Sequence, residues 1–418
     1  MQNLKAIGPG LIFASTAIGT SHLVLSTRAG AHHGILFLGI ILLALILKYP
    51  LYEFGPRFAN ATGYSLLKGY KDQGKWAIWL FMLVIFISMF AVTGAISALS
   101  AGLLASFTKI SIPVPWLSGI ILLITTILLL IGGFMGLDVI IKIIAIVLVF
   151  TVAIAFMAVW NKGPVPPIKD FQPPSIWEGA GLTLLISLLG WMPAGMEAST
   201  MNSIWTEVKI RQSGYHPTLR ETLFDFRLGY VFTTVLALMF LIIGAFTVYG
   251  SGELLEGSAM VFSKKLIAVF TSNLGQWSYY IIAIAAFTTI YGTLLSILDA
   301  FPRSFVRGLR VMVFDTPSKN EEQLGFLKKW YGIVLPVTAI GGFVLFYFSS
   351  AGMVKTLEMA TILSFVLAPI IGYLNLRCVL SPNFPKTHRP PTYLIALAYI
   401  GLICMMAFAI YYLISLLG

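Results

Sequence analysis

Long apolar segments alternate with short polar connections along the whole 418-residue chain. A membrane-spanning helix needs about 20 predominantly apolar residues, and the pattern predicts eleven such helices. Because the apolar runs are continuous rather than alternating, they do not fit a transmembrane β-barrel. The predicted spans, numbered 1 to 11 in chain order, cover residues 8–32, 34–55, 76–104, 114–134, 136–160, 179–205, 226–250, 273–300, 329–349, 353–376 and 392–417.

The composition agrees with a membrane protein, since 58% of the residues are hydrophobic and only 10% are charged. The mean hydropathy is +0.91. A soluble domain with so few charges could not cover its surface with polar groups. We therefore predict a polytopic helical protein whose main partner is the lipid bilayer.

The net charge of +11 is explained by the positions of the basic residues. With a cytoplasmic N-terminus, about 20 of the 27 Lys and Arg residues fall on the cytoplasmic side of the predicted spans. This distribution is the positive-inside bias of membrane proteins, and it requires no nucleic-acid partner. We expect a multi-pass protein of a bacterial-type inner (plasma) membrane.

The polar connections between the spans carry little chemistry. The longest of them, 206–226 and 302–328, are both cytoplasmic on this topology. In the first, Thr218 is followed three residues later by Glu221, the spacing of a capping box, which predicts a short helix. No catalytic triad or zinc signature occurs along the sequence, so we do not expect an enzyme.

Two of the predicted spans are interrupted at mid-membrane depth. Span 1 contains "AIGTSH" at residues 17–22, and span 6 contains "GWMPAGMEAST" at residues 190–200. Five spans separate the interruptions, so they occupy corresponding places in two five-span units. Paired interrupted helices indicate the binding site of an inverted-repeat transporter, because irregular backbone at this depth must line a cavity or be buried in protein.

The residues around both interruptions resemble a known family of metal transporters. "GPGLIFASTAIGTSHLVLSTRAGA" resembles, without gaps, the first span of the NRAMP (natural resistance-associated macrophage protein) family, and "GWMPAGMEASTMNS" resembles its sixth span. The resemblance implies an all-α, LeuT-type fold of the APC superfamily, with spans 1 and 6 unwound at mid-membrane. It implies two inverted repeats, 1–161 and 162–378, followed by one additional C-terminal helix in 379–418.

The motifs with which that family binds metal are largely replaced in this sequence. Where the family carries Asp-Pro-Gly-Asn in span 1, residues 19–22 read Gly-Thr-Ser-His, so both metal-binding side chains are absent. Where it carries Met-Pro-His-Asn in span 6, residues 192–195 read Met-Pro-Ala-Gly. The predicted substrate-binding residues are those of the two breaks: Gly19, Thr20, Ser21, His22, Met192, Ala194 and Gly195.

The chemistry at the breaks favours an anion. Each half-helix that begins at a break directs unpaired N–H groups and the positive end of its dipole toward the ligand. The hydroxyls of Thr20 and Ser21 and the imidazole of His22 add further hydrogen-bond donors. Because these residues lie close together, the sequence favours a small oxyanion such as bicarbonate, with nitrate, formate and small carboxylates left open.

A divalent metal cation is the alternative that the resemblance implies, with Mn²⁺, Fe²⁺ or Mg²⁺ as the substrate. His22, Met192 and Glu197 are the metal ligands that the sequence offers under this hypothesis. Span 1 provides no carboxylate, which makes a dication costly to hold in a low-dielectric site. A membrane sensor without transport is the alternative from a different functional class.

Movement of an anion into a negative cytoplasm requires a favourable gradient or a co-transported ion, and we expect Na⁺ or H⁺ and no resident cofactor. Glu197 and His22 are the candidate proton carriers. Arg28 lies seven residues beyond Ser21, on the same face of a regular helix, and is predicted to be accessory. Thr361 and Ser364 in span 10 offer hydroxyls to sodium. A single copy of the chain suffices for these roles.

Overall fold

The computed structural model describes residues 8–108, 110–314, 321–349 and 352–416, without the side chains of 132–148, 273, 321 and 322. Within these ranges the chain is helical and contains no strand. The helices are α1 Pro9–Ala17, α2 Thr20–Ser26, α3 Thr27–His33, α4 Leu36–Thr62, α5 Leu66–Asp72, α6 Lys75–Phe107, α7 Val114–Lys162, α8 Gly179–Trp191, α9 Glu197–Ser213, α10 Leu219–Thr247, α11 Ala259–Leu274, α12 Tyr279–Val313, α13 Glu321–Tyr347, α14 Gly352–Leu380 and α15 Thr392–Ser415.

The described helices confirm a multi-pass membrane protein. Nine of the described segments are long and apolar enough to cross a bilayer, and two shorter apolar helices, Val149–Lys162 and Gly179–Trp191, fall in predicted spans 5 and 6. The predicted connection near residue 135 is wrong, because α7 continues through it as one 49-residue helix. No proline interrupts this stretch, and glycines are tolerated inside membrane helices.

The capping box is present, but it does not start a separate short helix. The Thr218 side chain accepts a hydrogen bond from the backbone N–H of Glu221, and the Glu221 carboxylate accepts one from the backbone N–H of Thr218. The helix that begins there is α10, which continues to Thr247 and forms span 7.

Spans 1 and 6 are both broken, as predicted. In span 1, α1 ends at Ala17 and a turn of π-helix, α2, begins at Thr20. In span 6, residues 192–196 separate α8 from α9. Gly19 allows a close approach to α12, because a Cβ atom there would overlap the Thr293 hydroxyl and lie 3.0 Å from the Thr293 Cβ atom.

The first half of span 1 is fixed against α10. The Asp225 carboxylate of α10 accepts hydrogen bonds from the backbone N–H groups of Gly8 (3.0 Å) and Gly10 (2.6 Å). These groups belong to the first turn of α1, where intrahelical partners are lacking. The Phe13 ring packs against Phe226 of α10 and Tyr52 of α4, with centroids 5.7 and 5.6 Å apart. Span 1 therefore enters the membrane at a defined position beside α4 and α10.

Candidate functional site

The two helix breaks face one small cavity with a volume of about 50 Å³. Span 1, span 6, α6 and α12 each contribute to its wall. The cavity is mainly apolar, with a few hydroxyl groups and one carboxylate. It is lined by Thr16, Ala17, Thr20, Ser21, Val92, Ile96, Trp191, Ala194, Gly195, Glu197, Ala198, Met201, Thr293, Ile297 and Phe301.

Thr20 and Ser21 bring hydroxyl groups to the first turn of α2. The Thr20 side chain is only 2% exposed, and its hydroxyl has no hydrogen-bond partner among the described residues. The Ser21 hydroxyl lies 2.8 Å from the Ala17 carbonyl oxygen and 3.2 Å from the Pro193 carbonyl oxygen of the other break. Ser21 thus links the two breaks, while Thr20 is left with an unused donor and acceptor at the cavity wall.

Glu197 is the only acidic residue that lines this cavity in the described part of the chain. It is the first residue of α9, and its carboxylate bonds to its own backbone N–H. A Cβ atom on Gly195 would overlap this carboxylate. Negative charge is stabilised at a helix N-terminus, so Glu197 already occupies the position at which the sequence predicted free N–H groups for a ligand.

Lys48 is a buried charged residue beside the span 6 break that the sequence reasoning missed. Its ammonium group reaches from α4 to the C-terminal end of α8 and donates hydrogen bonds to the carbonyl oxygens of Leu189 (2.8 Å) and Met192 (2.9 Å). The residue is 2% exposed and interacts electrostatically with Glu197. A lysine in the middle of an apolar span is itself an indication of function. The position of Lys48 in predicted span 2 was therefore a signal that the sequence alone offered.

Tyr52 stabilises the same break from one turn further along α4. Its hydroxyl donates a hydrogen bond to the carbonyl oxygen of Ala194. Lys48 and Tyr52 therefore donate to the carbonyl oxygens of residues 192 and 194, and the Ser21 hydroxyl lies 3.2 Å from the carbonyl oxygen between them. Side chains from neighbouring spans thus surround the backbone acceptors of the unwound segment, as irregular backbone within a membrane requires.

His22 and Met192 do not line the cavity. The His22 ring points toward α10, where Nε2 donates to the Thr233 carbonyl oxygen (2.9 Å) and Nδ1 lies 2.7 Å from the Ser21 hydroxyl. The Met192 side chain is fully buried outside the cavity wall. His22, Met192 and Glu197 are thus not brought together around the cavity. Among the described residues, no group of three or more His, Cys, Asp and Glu side chains could hold a metal ion.

The predicted accessory residues lie away from the cavity. Arg28 pairs with Glu358 of α14 at 2.9 Å. The Thr361 hydroxyl donates to carbonyl oxygens of its own helix, and Ser364 accepts a hydrogen bond from the Trp191 indole N–H at 2.9 Å. Of the predicted residues, the cavity therefore gathers Thr20, Ser21, Ala194, Gly195 and Glu197, and it adds Thr16, Met201 and Thr293, which the sequence did not single out.

Comparison with known proteins identifies the family. Residues 10–415 match the family described as natural resistance-associated macrophage protein-like. The chain belongs to this family. It is 34% identical over 412 residues to an uncharacterized protein of Pasteurella multocida (strain Pm70), covering 98% of this chain and 92% of that protein.

Solved structures agree with the NRAMP fold. The chain is similar to a manganese transporter of Eremococcus coleocola carrying a glutamate-to-glutamine mutation, with a TM-score of 0.64 and 14% identity over 97% of this chain and 85% of that one. A glutamate-to-alanine mutant of that transporter gives a TM-score of 0.60 at 14% identity and the same coverage. At this identity the likeness concerns the fold. The NRAMP-family protein is a LeuT-type membrane transporter and not an enzyme.

Proposed function

We propose that this transporter carries a small oxyanion of the bicarbonate type together with a monovalent cation, Na⁺ or H⁺. The observation that supports the proposal is the Thr20 hydroxyl, which is buried and unpaired at the cavity wall. It lies at the beginning of α2, where backbone N–H groups lack intrahelical partners. A ligand with several oxygen atoms would satisfy the hydroxyl and the N–H groups together.

The charge balance at the site supports this substrate. Lys48 contributes one positive charge beside the span 6 break and Glu197 one negative charge at the cavity wall, so the two charges balance. A dication would add two uncompensated charges to a low-dielectric environment, which is costly. An oxyanion accompanied by one monovalent cation leaves the sum unchanged. Glu197 would then bind the cation, and the first turn of α2 would bind the anion.

The cavity size sets a limit on the ligand. A volume of about 50 Å³ is several times the roughly 10–15 Å³ that a cavity needs to hold one water molecule. The ligand is therefore one with few non-hydrogen atoms. Trp191, Ile96 and Phe301 close the cavity with bulky apolar side chains, which disfavours extended carboxylates.

Transport of a divalent metal cation is the second candidate, and Glu197 is the observation that favours it. Its carboxylate lines the cavity with the hydroxyls of Thr20, Ser21 and Thr293, an oxygen-rich set that suits a hard cation such as Mg²⁺ or Mn²⁺. Met201 adds a thioether one helical turn from Glu197. Solved manganese transporters have a similar fold, so a divalent metal cation is the substrate class to test beside the oxyanion.

Replacing Thr20 by valine tests the proposal, because valine keeps the shape of threonine and removes only the hydroxyl. We expect Thr20→Val to lower bicarbonate uptake into proteoliposomes by about tenfold or more, the effect of one lost hydrogen bond to a charged ligand. Thr16→Val is the matched control, since the Thr16 hydroxyl is already bonded to the Ile12 carbonyl oxygen at 2.8 Å. Equal losses in both variants would contradict the proposal.

The topology remains part of the same proposal. We place the N-terminus in the cytoplasm and treat residues 1–161 and 162–378 as the two inverted repeats, with 379–418 as an additional helix. In such transporters, alternating access comes from movement of one unit against the other around a fixed site. Uptake that saturates with substrate would exclude the sensor hypothesis, because a sensor binds its ligand without moving it.

A further inference from the structure

A second polar cavity lies on the side of the molecule that the predicted topology places outside. It has a volume of about 400 Å³ and lies between α3, α8 and the beginning of α14. We call it the outer pocket. Its polar side chains are Arg28, His32, Thr183, Glu256, Lys355 and Glu358.

Arg28 is the unusual member of this pocket, because it is only 3% exposed and incompletely paired. One nitrogen, Nη2, donates to Glu358 Oε1 at 2.9 Å. The other two, Nε and Nη1, have no partner among the described residues, and the same holds for Nε2 of His32. Unpaired donors are costly in a buried position, and structures normally satisfy them with protein, water or a ligand.

We propose that the outer pocket binds a small free oxyanion. A guanidinium group has only donors and matches the geometry of oxyanions, and a cation would be repelled by Arg28. Glu358 engages a single nitrogen of Arg28, so the guanidinium retains N–H groups for a second acceptor. Glu256 and Lys355 are both exposed to solvent, where their opposite charges are screened.

The position of the outer pocket gives this binding a role. Arg28 belongs to α3, which continues directly from the α2 turn that carries Thr20 and Ser21. An oxyanion held by Arg28 therefore lies on the same span as the central cavity, toward its predicted outer end, and in this role the pocket acts as a capture site that raises the local concentration of substrate. This role rests on the proposed function, whereas oxyanion binding by the pocket does not.

The test measures binding of ¹³C-bicarbonate, by NMR line broadening, to full-length protein in phosphatidylcholine nanodiscs. Thr20→Val weakens the central site and leaves the outer pocket. In the Thr20→Val protein, Arg28→Met combined with Glu358→Gln removes the ion pair of these two residues without leaving an unpaired charge. We expect this combination to weaken the remaining binding at least tenfold, and Arg28→Lys to retain most of it. Binding independent of Arg28 would overturn the proposal.

A control pair separates a local effect from general damage. Arg303 and Asp299 form a second arginine–carboxylate pair (2.7 Å), on α12, so Arg303→Met combined with Asp299→Asn removes a similar pair elsewhere. We expect this control to leave bicarbonate binding unchanged, and an equal loss would overturn the proposal.

Nanodiscs that contain phosphatidylglycerol test whether a lipid phosphate occupies the pocket instead. If that lipid abolished the Arg28-dependent binding, a lipid phosphate would be the occupant and the free-oxyanion site would be wrong.

Uptake measurements distinguish failure of this inference from failure of the proposed function. In proteoliposomes, Arg28→Met with Glu358→Gln is expected to raise the KM for bicarbonate about tenfold and to change the maximal rate less than twofold. Arg28-dependent binding without bicarbonate uptake by the wild type would retain the outer pocket and refute the proposed function. Bicarbonate uptake with an unchanged KM in this variant would retain the function and refute the capture site.

Discussion

Replacing Lys48 by methionine perturbs the charged contact between α4 and the span 6 break. Methionine keeps an unbranched apolar stem and removes the ammonium group. The variant loses two short hydrogen bonds, to the carbonyl oxygens of Leu189 and Met192, and a longer one of 3.5 Å to Gly190. It also leaves Glu197 without the nearby positive charge.

The structure sets the expected size of this effect. A hydrogen bond from a charged donor contributes about 1.5–3 kcal/mol, and Lys48 forms two short ones. We therefore expect Lys48→Met to lower the free energy of unfolding by about 3–6 kcal/mol. Adding Glu197→Gln removes the uncompensated carboxylate. The double variant should therefore be more stable than the sum of the single effects, by about 1–3 kcal/mol.

Denaturant unfolding in detergent micelles, followed by circular dichroism, measures these differences. Lys68→Met is the matched control, because Lys68 pairs with Asp72 on the solvent-accessible side of α5, and surface pairs contribute about 0–1 kcal/mol. A loss below about 1 kcal/mol in Lys48→Met, similar to this control, would refute the assignment of Lys48 as a structural counter-charge. Strict additivity with Glu197→Gln would refute its coupling to that residue.

Three further variants test the central cavity. Gly19→Ala should impair uptake because the new methyl group overlaps the Thr293 hydroxyl, and adding Thr293→Ala should restore part of the activity; no restoration would contradict this contact. Ser21→Asp should abolish oxyanion uptake through like-charge repulsion, whereas increased manganese uptake would favour the metal hypothesis. Glu197→Gln should leave bicarbonate binding intact and remove the dependence of uptake on the cation gradient, and a preserved dependence would exclude Glu197 as the coupling group.

The sequence predicted the location of the cavity because the breaks depend on local chemistry. Glycine at residues 19 and 195 and proline at residue 193 disfavour a regular helix, and their spacing by five spans indicated a repeated unit. The additional helix α11 was not predicted, since its residues 259–274 lie between two spans and lack the length of a span. Its Ser258 cap, which accepts a hydrogen bond from Val261, was a local indication of its start.

The direction of individual side chains could not be predicted, and the π-helical turn explains part of this. Sequence reasoning assumed 3.6 residues per turn, which would place Ser21 and Arg28 on one face. The turn at Thr20–Ser26 is wider than a regular α-helical turn, which shifts the residues beyond it. Arg28 accordingly reaches the outer pocket, and His22, within the turn, contacts α10. Lys48 was overlooked because its partners, the carbonyl oxygens at the end of α8, are distant in sequence.

Uptake by the purified protein in proteoliposomes tests the central claim most directly. Bicarbonate uptake would be measured with a ¹⁴C label and manganese uptake with a metal-quenched dye, each with and without an inward Na⁺ or proton gradient. The proposal predicts saturable bicarbonate uptake that requires one of these gradients, and no uptake of manganese. Saturable manganese uptake without bicarbonate uptake would contradict it and would assign Glu197 and the surrounding oxygen atoms to a metal site.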